Sequence, residues 1–293
     1  MTFRAHTKLM SNHILGPEKY QSPPIQKIRS SDLINKTILV IGANSGFGAV
    51  IINELRNSNA TVLTTVNSDT KLQSDFKLNL LDRDEIAHLG QSIFAKGLKL
   101  DGVVNCAGIA EKPKKLLDSS EIEFEEVVVV NFTSVYYLIK TLQPYLNMNS
   151  MFVQLAGGGA SGPMKYLPAY SASKAGVVRL IETIAQELKE SHININCLGP
   201  GSLMSDMTNS LLSTSDPEIQ ETIKSLIPGN FGYIDPKHTA KCVSAMLSES
   251  FVKTSGKFFS AQWDDWSDIN RLILAANCSP SSYSLRRVLC MEE

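Results

Sequence analysis

Tyr170 and Lys174 stand four residues apart in the segment Tyr170-Ser171-Ala172-Ser173-Lys174, so a helix would carry both on one face. A tyrosine phenol, with a pKa near 10, is a poor acid or base at neutral pH. An adjacent ammonium favours the phenolate and lowers that value toward the working range. The pair therefore offers proton transfer to or from an oxygen. Alone, the same spacing also describes an ordinary exposed helix pair, so the reading depends on what accompanies it.

A glycine-rich stretch accompanies it. Gly42-Ala43-Asn44-Ser45-Gly46-Phe47-Gly48 falls between a short β-branched run and an amphipathic segment. Glycines let the backbone turn sharply and approach a pyrophosphate, whose charge is favoured at a helix N-terminus. In a strand–loop–helix context this points to a dinucleotide. An acidic residue at the end of the second strand would select a ribose 2′-hydroxyl, and an arginine would accommodate a 2′-phosphate. That position falls at Val66-Asn67, which has neither. Without the acid a repulsion against NADP is gone, and Lys71 is near enough to help. The expected cofactor is NADP or NAD, with a tilt to NADP.

Further motifs follow in order: Asn105-Cys106-Ala107-Gly108, then Asn131, then Tyr170 to Lys174, then Pro200-Gly201. Together with the GxxxGxG spacing of the loop, they make residues 36 to 262 resemble the short-chain dehydrogenase/reductase family. The resemblance implies hydride transfer that interconverts a carbonyl and a secondary alcohol. In it Tyr170 is the acid/base, Lys174 assists and holds the nicotinamide ribose, and Asn131 anchors a water of the proton relay. Cofactor contacts are implied for Gly42, Asn44, Ser45, Gly46, Phe47, Gly48, Asn67, Asn79, Leu80, Asn105, Ala107, Gly108, Tyr170, Lys174, Pro200, Gly201 and Ser205. Asn79 stands where the family often has an aspartate that accepts from the adenine amine. Ser205 stands where a threonine usually meets the nicotinamide carboxamide. Each also has a local reading: Asn79 ends a strand, and Ser205 caps a helix near Met207. Cys106 reads as a small apolar filler.

One departure is clear. The family's serine normally lies about 13 residues before the tyrosine and hydrogen-bonds the substrate carbonyl. That window reads Leu155-Ala156-Gly157-Gly158-Gly159, and the nearest hydroxyl is Ser161. Either Ser161 swings in, or backbone N–H groups of the glycine loop polarise the carbonyl, or activity is weak or lost. The last case would be a degraded member that binds cofactor as a scaffold or sensor. A nucleotide-sugar epimerase or dehydratase ranks behind both. The segment Ser260 to Trp266 replaces a VDGG-like ending. With Gly157 to Ala160 and Leu285-Arg286-Arg287, it is similar to a bacterial-type branch of the family.

The elements that must position these residues alternate. Strands are expected at Thr37 to Ile41, Thr61 to Val66, Phe76 to Leu80, Asp101 to Asn105, Met151 to Leu155, Ile193 to Cys197 and Lys257 to Ser260. Helices are expected from about Phe47 to Arg56, from Arg83 behind an Asp82 cap, from Glu121 to Leu146, and from Ala169 to Leu188. Alternation of this kind means an α/β fold, a single Rossmann-type doubly wound parallel sheet. Residues 1–35 read as a flexible extension, 36–266 as the Rossmann-fold domain, and 267–293 as a tail.

Composition narrows the partners. A hydrophobic content of 43%, a charged content of 19% and a formal net charge of −1 describe an ordinary globular chain, without the basic footprint of a nucleic-acid or anionic-membrane binder. Five cysteines, an odd number without CxxC, and five histidines without ligand spacing give no disulfide framework and no metal site. The expectation is a cytoplasmic protein acting on a small carbonyl or alcohol. Its helix at Val127 to Val130 would pack in the interface of a homodimer or homotetramer, as the resemblance implies.

Overall fold

The computed structural model describes residue 25 and residues 33–67, 73–227, 232–252 and 254–285. The expected N-terminal extension lies almost wholly outside these, as do Lys71, Arg286 and Arg287. Strands β1 (Thr37–Ile41), β2 (Thr61–Val66), β3 (Phe76–Lys77), β4 (Leu100–Asn105), β5 (Leu146–Leu155), β6 (Asn194–Gly199) and β7 (Phe258–Ser260) form one parallel sheet. Its order is β3-β2-β1-β4-β5-β6-β7. Ile38, Leu39, Val40 and Ile41 of β1 are all buried, as a strand covered on both faces requires. The strand order reverses between β1 and β4, which opens a crevice beyond the carboxyl ends of those strands.

The helices among the described residues are α1 (Gly46–Asn57), α2 (Arg83–Ala95), α3 (Glu121–Val128), α4 (Ser134–Leu142), α5 (Pro168–Leu188), α6 (Asp206–Leu212), α7 (Pro217–Leu226), α8 (Pro236–Met246) and α9 (Ile269–Asn277). Residues of α2, α4 and α5 share one apolar cluster with one face of the sheet; α1, α8 and α9 share another with the opposite face. A third cluster joins Leu167 to Leu211, Ile219 and Ile223, seating α6 and α7 over the start of α5.

Three elements differ from expectation by three residues or more, whereas β6 runs Asn194–Gly199 instead of Ile193 to Cys197. β3 ends at Lys77 instead of Leu80, because the Asn79 amide donates to Glu85 Oε2 of α2 at 2.6 Å instead of to a strand. The expected long helix from Glu121 to Leu146 is broken by a π-helical segment, Val129–Thr133, and closes in a 3-10 turn, Gln143–Tyr145. The wider turn swings Asn131 inward to be buried. β5 begins at Leu146, five residues early, and pairs Leu100 across a register shift.

Candidate active site

At the crevice, Ser45 caps α1: its Oγ accepts from Gly48 N at 2.9 Å and donates to Gly42 O at 3.0 Å. Gly42 has φ +86°, and a Cβ there would stand 2.8 Å from Ala107 N. The turn after β1 therefore lies directly on the turn after β4. A Cβ at Gly48 would lie 2.5 Å from Gly42 O, whereas one at Gly46 would meet nothing within 4 Å. The first turn of α1 carries no acidic residue. An open backbone cradle at an uncompensated helix N-terminus fits a pyrophosphate. Asn44 is exposed beside it, and Phe47 packs partly into the core. Cys106 donates to Ile41 O at 2.9 Å, and burial raises its thiol to about 12, so it is no nucleophile.

Asn105 ties strands together: its Nδ2 donates to Gln154 Oε1 at 2.9 Å, and its Oδ1 accepts from Ala107 N at 3.2 Å. The next residue in the turn, Gly108, faces the proton-transfer candidates. A Cβ on it would lie 3.2 Å from both Asn131 Oδ1 and Lys174 Nζ. The Asn131 side chain accepts from Ile109 N (2.9 Å) and donates to Ile109 O (2.8 Å) and Ser173 Oγ (3.1 Å). Lys174 Nζ is buried and donates to Leu155 O at 3.3 Å, and burial lowers its pKa to about 8.

Tyr170 sits one turn before Lys174 on α5. Its pKa is raised to about 12, first by burial and then by the nearby Glu111 carboxylate. The spacing of Tyr170 and Lys174 predicts the opposite shift, a phenol lowered by the ammonium. The geometry explains the difference: Lys174 Nζ turns to Leu155 O and stands 5.7 Å from the Tyr170 ring centroid. Glu111 is a residue that sequence reasoning passed over. Buried at 8% exposure, it accepts from Ala169 N at 2.7 Å and from Tyr170 N at 3.0 Å. Burial pushes its own carboxyl above the usual range. The available signal was negative: α5 opens on Leu167-Pro168 with no capping side chain of its own, so its cap had to come from elsewhere.

Opposite Tyr170, Gly158–Ala160 form a 3-10 turn that no side chain caps. Its backbone bonds are Ala160 N to Gly157 O and Ser161 N to Gly158 O. That leaves the N–H groups of Gly157, Gly158 and Gly159 without an acceptor among the described residues. Ser161 is exposed at the end of this turn.

The remaining expected residues are distributed around the crevice. Asn67 is exposed at the end of β2, and the Leu80 side chain is in the core. Asn79 Oδ1 accepts from Leu81 N in the turn beyond β3, which ends two residues earlier at Lys77, and Ser205 Oγ caps α6 by accepting from Thr208 N, as its local reading has it. Pro200 O accepts from Thr239, and a Cβ at Gly201 (φ +80°) would lie 2.8 Å from Ile234. The loop that carries Lys112, Lys114 and Lys115 is tied down: Lys115 pairs with Glu218 of α7 at 3.3 Å, and Tyr166 donates to the same carboxylate at 2.6 Å. Of the two tryptophans, Trp266 is buried against Phe251 and Phe259, while Trp263 is 43% exposed. Among the described residues no group of three or more His, Cys, Asp or Glu could hold a metal, and no helix is long and apolar enough to cross a membrane.

A family model described as short chain dehydrogenase matches residues 36–216. The chain is 30% identical over 244 residues to the 3-oxoacyl-acyl-carrier-protein reductase FabG of Thermotoga maritima, covering 77% of this chain and 95% of that protein. It is also 30% identical over 216 residues to nodulation protein G of Rhizobium sp. strain N33, covering 67% and 83%. In fold it resembles the Pseudomonas aeruginosa RhlG/NADP complex (TM-score 0.70, 22% identity, 82% and 100% covered) and Thermoplasma acidophilum aldohexose dehydrogenase (TM-score 0.67, 23%, 80% and 95%). This chain belongs to the short-chain dehydrogenase/reductase family and is an NAD(P)-dependent oxidoreductase.

Proposed function

We propose that the chain uses NADPH to reduce a carbonyl to a secondary alcohol, with Tyr170 delivering the proton to the carbonyl oxygen. The observation that carries this is the convergence at one end of the sheet of Tyr170, Lys174, Asn131 and the glycine cradle, linked through Gly42, Ala107 and Gly108. The cofactor would supply the hydride. Gly42 and Asn44 to Gly48, with Ala107 and Gly108, would hold its phosphates and the adjoining ribose. Asn67, Asn79 and Leu80 would border the adenosine; Asn105, Lys174, Pro200, Gly201 and Ser205 would border the nicotinamide end. Asn131, whose side chain is spent on Ile109 and Ser173, would keep that turn and α5 in register. The phenol held at about 12 is protonated at neutral pH and so carries the proton that reduction consumes, although at that value it is a weaker acid than a free tyrosine. In place of a serine, the amides of Gly157 and Gly158 would polarise the carbonyl, since preorganised N–H donors do this without side chains. Asn67 at the end of β2 and the NADP-bound neighbour favour NADP over NAD.

The test is energy transfer from tryptophan to bound NADPH or NADH, followed by a carbonyl screen led by acetoacetyl-coenzyme A. Tight NADPH binding, with turnover abolished by Tyr170→Phe at unchanged cofactor affinity, is the expected result. Full turnover in that variant would overturn the role of Tyr170. NADPH binding with no Tyr170-dependent turnover on any carbonyl would favour a cofactor-binding scaffold, the reading motivated by the absent serine.

A further inference from the structure

Gly157 has φ 172° and ψ 173°, extended backbone that any residue adopts, so its conformation does not call for glycine. Its surroundings do. A Cβ at 157 would lie 2.3 Å from Tyr170 Oη and 3.2 Å from Tyr170 Cζ. Its neighbours divide sharply: a Cβ at Gly158 would meet nothing within 4 Å, and one at Gly159 would stand 2.8 Å from Ser171 Cα. One glycine of the turn is thus required by the tyrosine hydroxyl, one by the α5 backbone, and one by neither.

The tyrosine cannot retreat without moving the reacting atom. Its ring packs against the cluster of Leu167, Leu211, Ile219 and Ile223, and its amide is held by Glu111. Any side chain at 157 is therefore accommodated by displacing Oη. We propose that Gly157 is a positioning residue: its bare Cα seats the Tyr170 hydroxyl against the glycine turn, so that a serine at 157 would obstruct the site instead of completing it. The absence of the family's serine and the placement of the tyrosine are then one adaptation. This rests on Tyr170 acting as the acid.

The experiment compares Gly157→Ala, Gly157→Ser and, as a control where an added Cβ also meets nothing within 4 Å, Gly162→Ala in the full chain, each with Tyr170 and with Tyr170→Phe. NADPH affinity, kcat and KM for the best carbonyl of the screen, and the thermal unfolding midpoint are measured. Displacing a reacting atom by about 1 Å costs on the order of 100-fold. Both variants at 157 should therefore lose kcat on that scale with NADPH affinity unchanged, while Gly162→Ala behaves as the parent. The midpoint loss caused by Gly157→Ala should shrink in the Tyr170→Phe background. A Gly157→Ser protein with equal or higher kcat overturns the proposal, and so does an equal midpoint loss in both backgrounds. Should Tyr170→Phe itself turn over normally, the reading of function fails. The unfolding comparison needs no turnover and still decides whether Gly157 seats the hydroxyl.

Discussion

Glu111 shows how one side chain reaches into the chemistry without meeting a substrate. Its carboxylate replaces the missing local cap of α5, and one of the two amides it accepts from belongs to Tyr170 itself. The same charge opposes ionisation of the phenol, reinforcing burial and holding it at about 12 against an ordinary 10. Between those values the folded chain keeps a proton that the unfolded chain has lost, so this group's contribution to stability falls as pH rises through that interval. In reduction the phenol must be protonated, so activity falls on the alkaline side. Glu111→Gln keeps an oxygen for the amides and removes the charge. The alkaline limb of its kcat profile should therefore lie at lower pH than the parent's, with NADPH affinity preserved. An unmoved limb, measured over the same buffers, would show that the carboxylate acts as a cap alone.

At the scale of elements, the π-helical segment between α3 and α4 decides where Asn131 points. The wider turn brings the amide to Ile109, where three hydrogen bonds join the turn after β4 to α5. Removing a partner from a buried network costs about 1–3 kcal/mol. Asn131→Ala should therefore lower the unfolding midpoint by several degrees and weaken NADPH binding, because Gly108 and Ile109 lose their anchor. Unchanged affinity in a fluorescence titration would separate the anchor from the cofactor site. This segment also marks the limit of what the sequence discloses. β1 and β2 could be read to their exact ends, because β-branched runs stop at Ile41-Gly42 and Val66-Asn67. α2 and α6 start where Asp82 and Ser205 cap them, causes that are local. The order of motifs was enough to bring Tyr170, Lys174, Asn131 and the glycine loop to one end of the sheet. Asn131's π turn, Glu111's reach to Ala169 across 58 positions and Gly157's contact with Tyr170 have causes distant in sequence, and no residue pattern announces them.

Over the whole molecule, the sheet has an edge to manage at β7, where an unpaired strand would invite pairing with another chain. Here the chain that follows α9 runs along it. Phe258 N donates to Tyr283 O at 2.7 Å, Lys257 Nζ donates to Ser279 O and Ser282 O, and the Tyr283 ring stands 5.2 Å from that of Phe259. Leu285 is then held on α5 through its backbone, and its side chain packs against the apolar cluster that α5 shares. Its N–H donates to Glu182 Oε1 and its carbonyl accepts from Arg179, both at 2.6 Å, while Arg179 pairs with the other Glu182 oxygen. Glu182 is buried, so its carboxylate is compensated only while that arrangement stands. Ending the chain after Asn277 removes every contact the tail supplies and leaves Glu182 with Arg179 alone. At about 1 kcal/mol for each hydrogen bond lost, the unfolding midpoint should fall by roughly 5–10 °C. The bared β7 edge should also produce concentration-dependent association in light scattering, which Tyr170→Phe in the full-length chain does not. A truncated protein with the parent's midpoint and the parent's scattering would show that the sheet guards its edge without the tail.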